Sequence, residues 1–333
     1  MSPDTSGQNR RIMVVTLGGT IAMSRASGEA GGVSPRLTGA DLVAAVPGLD
    51  QGATIKVEDF RRIPGASLTV DDIAELIELL QKAAASGTDG FVVTQGTDTL
   101  EETAYLLDLF HDADAPLVLT GAMRNAAMPG ADGPANLLAA TRTAASADAC
   151  GMGALVVFAD EIHAARHVRK LHSTSVAAFS SPSAGPIGHV IEGVPRLHFR
   201  LQRHRALPLP LQPAVVELVS TTLGGDASGL DDLDRRADGV VVAAFGVGHV
   251  PETWVEPLQK LAERIPVVLA SRTGAGSVLA ATYAFPGSES DLLARGLISA
   301  GSLDPYKARL LLLAQLGAGA DRARVEAAFS ERR

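Results

Sequence analysis

The stretch GFVVTQGTDTLEETAYLLDLFH, residues 90–111, joins a strand, a turn and a helix. Its first residues are apolar and rich in valine, as in a strand that is buried on both faces, and the run stops at Gly96. Apolar residues after Thr99 recur with helical spacing, and Glu102 stands three positions further on, which predicts a helix with a capping box. The turn should therefore lie at the carboxyl end of a strand, where open α/β sheets bind ligands.

The same alternation of strand and helix recurs on both sides of this segment. It predicts a parallel sheet whose two faces are covered by helices, the pattern of an α/β fold. The other predicted strands are RIMVVTL (11–17), APLVLTGA (115–122) and GALVVFA (153–159), and the other predicted helices are TVDDIAELIELLQKAAA (69–85) and GPANLLAATRTAAS (133–146).

A segment rich in proline and arginine, RLQRHRALPLPLQP (200–213), interrupts both periods before the alternation resumes on a smaller scale. We therefore predict a larger N-terminal α/β domain with a parallel sheet (1–200), a linker (201–213) and a smaller C-terminal α/β domain (214–333). Predicted strands of the second domain are AVVELVST (214–221), GVVVAAFG (239–246) and PVVLASRT (266–273), and its predicted helices are ETWVEPLQKLAERI (252–265), ESDLLARGLISAG (289–301) and DPYKARLLLLAQLG (304–317).

Composition narrows the function classes. The 333 residues are 46% hydrophobic, enough for a sizeable core, and the net charge of -8 with 4% aromatic residues argues against a nucleic-acid partner. The single cysteine, Cys150, cannot form an internal disulfide, which fits a reducing compartment. Neither a membrane span nor the pattern of a secretory signal is visible, so we expect a cytoplasmic protein.

Two glycine turns carry hydroxyl side chains. Thr20 follows Gly18 and Gly19 directly after a strand, without the glycine spacing of a dinucleotide-binding loop. Thr97 and Asp98 occupy the corresponding place after the strand at 90–95. Turns of this composition are common without any chemistry, and Asp98 could simply cap the following helix. Because both turns should open on one edge of the same sheet, the sequence favours a ligand site that the two turns form together.

Several blocks of the chain resemble the bacterial-type L-asparaginase family. They are LGGTIA (17–22), VVTQGTDTLEETAYLLDLF (92–110), PLVLTGAMRNAAMPGADGPANLLAA (116–140), RHVRKLHSTSVAAFSSPSAGPIGHV (166–190) and, more weakly, SAGSLDPYKARLLL (299–312). The resemblance spans nearly the whole chain and implies a large and a small α/β domain, usually assembled as a tetramer of intimate dimers. It therefore implies a homo-oligomer, either a dimer or a dimer of intimate dimers.

The resemblance also implies roles for individual residues. Thr20 corresponds to the primary nucleophile. Thr97, Asp98 and Lys170 correspond to a second cluster, in which the lysine polarises the threonine or an attacking water and the aspartate holds the substrate's α-amino group. Ala122 corresponds to a position whose backbone carbonyl contacts the substrate amide. Such chemistry is coherent, since a threonine hydroxyl needs a base or a nearby cation to become a nucleophile.

The chain also departs from the family pattern. Leu17 replaces the usual threonine before the glycines, and the loop after Thr20 lacks the family's tyrosine, whose matching position is near Gly32. Of the three tyrosines, Tyr105 and Tyr306 fall in predicted helices, which leaves Tyr283 as the loop candidate. We hypothesise that Tyr283, from the same or a neighbouring subunit, supplies the missing hydroxyl.

The residues that select the substrate are harder to match to the family pattern. Ser67 is the candidate for the family's substrate-binding serine, displaced by one or two residues, and His249 stands where many members have an asparagine. The glutamate that members supply from the small domain has no clear match. Asp132 is expected to cap or position the helix that follows it, and the resemblance also allows it a structural role near the site. The His163/His167 pair lacks the glutamate of a zinc helix.

Three hypotheses follow. The leading one is hydrolysis of L-asparagine to L-aspartate and ammonia, through a threonine acyl intermediate or a threonine-guided water. The second is a related amidase with glutamine or another amide as its main substrate, and the third is a non-catalytic amino-acid-binding protein on the same scaffold. The resemblance implies a small-molecule substrate, an amino-acid amide, and amide hydrolysis requires no cofactor or metal.

Overall fold

The chain divides into two units, residues 1–203 and 204–333. The structure is a computed structural model that describes residues 9–24, 34–35, 37–209 and 212–332. Each unit is built around its own sheet, and the two sheets share no strand. Our finer division, with a linker at 201–213, stays a prediction.

The strands of the first unit are β1 (Arg10–Thr16), β2 (Met23–Ser24), β3 (Ser34–Pro35), β4 (Ala53–Asp59), β5 (Gly90–Thr94), β6 (Leu117–Thr120), β7 (Ala154–Phe158), β8 (Glu161–Ala164), β9 (Arg169–Lys170), β10 (Phe179–Ser180), β11 (Gly188–Ile191) and β12 (Val194–Leu197). Eight of them form the main sheet, in the order β12-β11-β8-β7-β6-β5-β1-β4. Neighbouring strands from β4 to β7 are parallel, whereas β8, β11 and β12 pair antiparallel with their neighbours. Two short antiparallel pairs, β2 with β3 and β9 with β10, lie outside this sheet.

The first unit's helices are α1 (Gly39–Ala44), α2 (Val70–Ala85), α3 (Leu100–Phe110) and α4 (Gly133–Ala144). Helix α2 shows why these segments are helical, since Thr69 and Asp72 form a capping box at its start and its buried residues recur every three or four positions. Alternate residues of β1, β5, β6 and β7 form one core with α4. The remaining residues of β5, β6 and β7 are buried as well, which explains their continuous apolar runs.

Three parallel strands end at the same level. Thr16 pairs with Thr94, and Thr94 pairs with Thr120. The turns that follow β1, β5 and β6 consequently open on one edge of the sheet, as predicted for the first two. This register brings together segments that are far apart in the chain.

The elements of the second unit are β13 (Val216–Ser220), α5 (Leu233–Arg236), β14 (Gly239–Ala244), α6 (Val255–Ala262), β15 (Val267–Ser271), α7 (Glu289–Ala294), β16 (Ile298–Ser299), α8 (Pro305–Gly317) and α9 (Arg322–Glu331). The strands form a four-stranded parallel sheet in the order β13-β14-β15-β16. One core of this unit contains residues of β14 and β15 together with residues of α5, α6 and α7 and the single tryptophan, Trp254.

The predicted α/β class and the pair of larger and smaller parallel-sheet domains are confirmed. One helix was wrong in extent: the prediction at 289–301 merged α7 with β16, because a short apolar strand cannot be told from a helix end by periodicity. The antiparallel strands β11 and β12, which extend the first sheet, were also missed. Within the described residues, no helix has the length and apolar character needed to cross a membrane.

Candidate active site

The first glycine turn has a backbone that only glycine adopts readily. Strand β1 ends at Thr16, and Gly18 and Gly19 follow with φ of +100° and +83°. The amide of Leu17 donates to Thr94 O at 2.9 Å, so the backbone is still bonded to β5 at the residue just before the two glycines. Thr20 then opens a short 3-10 helix, Thr20–Ala22, and is half-buried. Thr20 therefore lies in the turn that follows the carboxyl end of β1.

The two glycine turns touch through their backbones. A Cβ on Gly19 would lie 2.1 Å from Gly96 N and 2.3 Å from Gly96 Cα. Real side chains do not approach a backbone so closely, and the contact therefore requires glycine at position 19. In consequence, the segments carrying Thr20 and Thr97 are held against each other.

Lys170 joins the second turn from β9. Its Nζ lies 2.9 Å from Thr97 Oγ1 and 2.7 Å from Asp98 Oδ1, while its backbone amide donates to Glu101 Oε2 at 2.6 Å. The lysine side chain is 16% exposed and that of Asp98 is 70% exposed. The ammonium group is thus fixed beside the Thr97 hydroxyl, and the Asp98 carboxylate keeps an accessible oxygen.

This arrangement determines which protons are available. Lys170 donates to the Thr97 oxygen, so the threonine's own O–H proton is free to point at a ligand or a water. Asp98 can accept from a ligand ammonium through its accessible oxygen. The sequence brought these three residues together by resemblance, and the structure places them in direct contact.

Thr99 does not form the predicted capping box. Helix α3 begins directly after it, but its hydroxyl makes no bond to the helix. Instead, Thr99 Oγ1 accepts from Gln95 Nε2 and donates to Gly65 O, both at 2.9 Å. These bonds hold the 3-10 helix Gly65–Ser67 against the second turn, and Ser67 is exposed there. The capping prediction was wrong because a partner 34 positions away competes for the hydroxyl.

The third turn follows β6 and contains Ala122, which is fully buried. A Cβ on the preceding Gly121 would lie 2.5 Å from Gln95 O, so this turn also packs against the segment after β5. Asp132 precedes α4 but makes no side-chain bond to cap it. Its carboxylate accepts from the amides of Met123 and Arg124 instead, at 2.9 and 2.8 Å. Of the roles expected for Asp132, capping of the helix is wrong, because the carboxylate bonds to the backbone of the third turn; its bond with Asn136 Nδ2, at 3.2 Å, also connects that turn to α4.

Tyr283 belongs to the second unit, in a segment that is neither helix nor strand, and it is 45% exposed. Its ring lies edge-on to that of His249, with 4.9 Å between ring centroids. Glu289, which is fully buried, accepts from the amides of Thr282 and Tyr283 at 2.9 and 2.8 Å and lies 3.1 Å from His249 Nε2. Sequence reasoning missed Glu289 because it sought a carboxylate within the tyrosine segment itself.

Hydrogen bonding keeps Glu289 charged. Burial pushes the pKa of its carboxyl up, but the bonds from the Tyr283 and Thr282 amides and from His249 outweigh this effect, so the pKa lies below its usual range. A buried carboxylate with these partners fixes the backbone at Tyr283. The catalytic role of Tyr283 and the substrate-binding role of Ser67 stay predictions.

Two further expectations concern the loop and metal binding. Gly32, the position that matches the family's loop tyrosine, lies outside the described residues. His163 is fully buried between Ser181 Oγ and Glu161 Oε2, whereas His167 accepts from Arg166. Across the described ranges, no group of three or more His, Cys, Asp or Glu side chains is arranged to hold a metal ion.

Comparison with known proteins gives a consistent result. Residues 11–203 match the family model "Asparaginase, N-terminal", and residues 215–329 match "Glutaminase/Asparaginase C-terminal domain". A probable L-asparaginase of Deinococcus radiodurans is 38% identical over 96% of this chain and 97% of its own. A glutaminase-asparaginase of Pseudomonas fluorescens biotype A is 31% identical over 98% of this chain and 92% of its own. The crystal structure of a probable cytoplasmic L-asparaginase from Campylobacter jejuni superposes with a TM-score of 0.86 at 32% identity, covering 97% and 99% of the two chains.

Proposed function

We propose that this chain, which belongs to the bacterial-type L-asparaginase family, hydrolyses L-asparagine to L-aspartate and ammonia. The observation that carries this proposal is the contact of Lys170 with Thr97 and Asp98 beside the turn that presents Thr20. Binding of an amino acid alone would require neither the second threonine nor the lysine. Hydrolysis uses all of them.

Each residue has a defined task in this proposal. Asp98 accepts from the substrate's α-ammonium group and thereby places the side-chain amide over the two turns. The hydroxyl of Thr20 attacks the amide carbon, the C–N bond breaks as the nitrogen takes a proton, and water then releases aspartate from the acyl intermediate. In the alternative route, Thr97 and Lys170 direct a water at the same carbon, with Thr20 guiding it.

Thr20 requires an activating group in the acyl route, and Tyr283 is our candidate. Its hydroxyl oxygen would accept the proton of Thr20 while its own proton passes to the leaving nitrogen. Ser67 would contact the substrate from the 3-10 helix that Thr99 holds against the second turn. Support for Ser67 comes from its exposure beside that turn, and support for Tyr283 from a segment that Glu289 fixes.

Asparagine and glutamine differ by one methylene, which a binding site discriminates by only about 10- to 200-fold. The Pseudomonas relative is named as a glutaminase-asparaginase, so glutamine is the substrate to compare. The decisive experiment measures ammonia release from L-asparagine, L-glutamine and their D-isomers. Thr20→Ala should abolish activity, whereas Thr54→Ala, an exposed threonine on the edge strand β4, serves as the matched control.

Each outcome identifies a different hypothesis. Ammonia from L-asparagine with the highest kcat/KM supports the leading one, and a higher value for another amide supports the related amidase. A folded wild-type protein that binds aspartate and releases no ammonia would refute both enzymatic hypotheses. If the protein is active, single-turnover trapping of a covalent aspartyl-threonine ester distinguishes the acyl intermediate from the guided water.

We further propose a cytoplasmic homo-oligomer, either a dimer or a dimer of dimers. The single cysteine and the similarity to the probable cytoplasmic L-asparaginase from Campylobacter jejuni favour that compartment, and the family resemblance favours the assembly. Light scattering coupled to size exclusion measures the oligomeric mass, and fractionation of the source cells locates the protein. A monomer, or recovery from the periplasm, would contradict the respective proposal.

A further inference from the structure

The short strand β9 presents the backbone amide of Lys170 on its open side. This strand has two residues and pairs antiparallel with β10, outside the main sheet. The amide of the next residue, Leu171, donates toward β10, to Ala178 O at 2.7 Å. Because successive amides of a strand point to opposite sides, the amide of Lys170 points away from β10. It therefore needs an acceptor from another element.

Glu101 of α3 supplies that acceptor. It stands in the first turn of the helix, is only 9% exposed, and its Oε2 accepts from Lys170 N at 2.6 Å. A hydrogen bond to a carboxylate is stronger than one to a neutral carbonyl oxygen. The backbone of Lys170 is therefore tied to the start of α3, across 69 positions of the chain.

The same end of α3 holds the other end of this lysine. Asp98 stands two positions before the helix, and its Oδ1 lies 2.7 Å from Lys170 Nζ. A lysine side chain is a flexible stem of four carbons, and its ammonium group can reach many places from one backbone position. Two carboxylates three positions apart thus fix both the origin of the side chain and its charged end.

We propose that Glu101 is a positioning residue that holds the backbone of Lys170 so that the ammonium group stays beside the Thr97 hydroxyl. This inference rests on the proposed hydrolysis. The ammonium nitrogen lies 2.9 Å from Thr97 Oγ1, and a misplacement of about 1 Å in a catalytic site can lower the rate about 100-fold. Glu101 acts through Lys170, so its contribution to the rate should depend on the lysine.

Two conservative variants separate the hydrogen bond from the charge. Glu101→Gln keeps an oxygen at the same reach and loses the charge. Glu101→Asp keeps the charge but is shorter by one carbon–carbon bond, about 1.5 Å, and therefore loses the contact with the amide of Lys170. The matched control is Asp71→Ala, which removes an exposed carboxylate from the first turn of α2. Thermal unfolding shows that each variant is folded.

The kcat for L-asparagine should fall by about 10- to 100-fold in Glu101→Asp. In Glu101→Gln and in Asp71→Ala it should stay within about threefold of the wild type, well inside that effect. The KM should stay within about threefold in all variants, because Asp98, the proposed partner of the substrate's ammonium group, is retained.

A double-mutant cycle tests whether Glu101 acts through the lysine. In the Lys170→Gln background there is no ammonium group to place, so adding Glu101→Asp should lower kcat by less than about twofold. Residues that act on the rate independently would instead give the same fold-loss in both backgrounds.

Three results would overturn the proposal. They are wild-type kcat in Glu101→Asp, a loss in Glu101→Gln as large as that in Glu101→Asp, and equal fold-losses from Glu101→Asp with and without Lys170. The first would show that the bond is not needed, the second that the charge matters instead, and the third that Glu101 does not act through Lys170. In an active enzyme these results leave the proposed function intact, whereas a wild-type protein that releases no ammonia from asparagine would refute both.

Discussion

The contact between the two glycine turns predicts that Gly19 and Gly52 respond differently to the same substitution. Both have left-handed backbones, with φ of +83° and +81°. An added Cβ at Gly19 would lie 2.1 Å from Gly96 N, whereas one at Gly52 would meet nothing within 4 Å. The pair Gly19→Ala and Gly52→Ala therefore separates the cost of the backbone angle from the cost of the blocked contact.

The shared cost is about 1–2 kcal/mol, the strain of placing an L-residue in a left-handed conformation. Gly19→Ala adds overpacking, on the order of 1–3 kcal/mol. The overlap is relieved only if the two turns move apart by about 1 Å, and a misplacement of that size in a catalytic site can lower the rate about 100-fold. We expect Gly52→Ala to lose about 1–2 kcal/mol with normal activity, and Gly19→Ala to lose about 2–5 kcal/mol and most of its activity.

Urea unfolding gives the free-energy differences, and ammonia release from asparagine gives kcat/KM. The informative quantities are the difference in unfolding free energy between the two variants and the ratio of their kcat/KM values, since the backbone strain that both variants share cancels in each. Equal stability and equal kcat/KM for Gly19→Ala and Gly52→Ala would refute the reasoning, because the turns could then separate without consequence.

Three further predictions concern side chains. Lys170→Gln should lower kcat by about 10²- to 10⁴-fold through loss of the group that polarises Thr97, whereas Lys82→Gln, at an exposed pair with Glu78, should have no effect; comparable losses would contradict the role of Lys170. Tyr283→Phe should lower kcat at least about tenfold if its hydroxyl relays the proton, and full kcat would remove Tyr283 from the mechanism. Burial lowers the pKa of His163 despite the neighbouring Glu161. As the pH falls, this histidine therefore takes up a proton in the unfolded chain before it does so in the folded protein. Stability should be full above the unfolded pKa of about 6.5 and fall toward acid by at most about 1.4 kcal/mol per pH unit, and His163→Gln should reduce this slope in urea unfolding at pH 5 to 7; an unchanged slope would contradict the prediction.

Local sequence predicted the parts of the fold that local forces determine. The strand at 90–95 and the helix at 69–85 followed from apolar periodicity and from glycine and threonine boundaries, and both are present with nearly those bounds. The antiparallel strands β11 and β12 were missed because they are short and make little periodic signal. Their pairing depends on the existing sheet edge rather than on their own residues.

In the candidate site too, local features could be predicted from the sequence and long-range contacts could not. Glycines 18 and 19 could be interpreted from the sequence as a sharp turn, but the reason for the second glycine is the backbone of Gly96, which the sequence does not place beside it. Asp132 and Glu289 were missed or misassigned because their partners are backbone amides in other segments. Patterns of side-chain type do not reveal which backbone groups lack a partner.

Thr97 and Thr99 show why composition alone could not assign the second turn. The two threonines are separated by one residue and carry the same hydroxyl, yet Thr97 contacts the Lys170 ammonium while Thr99 bonds to Gln95 and Gly65. Thr99 uses its oxygen to accept and its proton to donate, so it has no proton left for a ligand. Thr97 only accepts from lysine and keeps its proton. Of the two, Thr97 is therefore the hydroxyl that can act on a substrate, and the chemistry of the turn depends on which of them the lysine reaches.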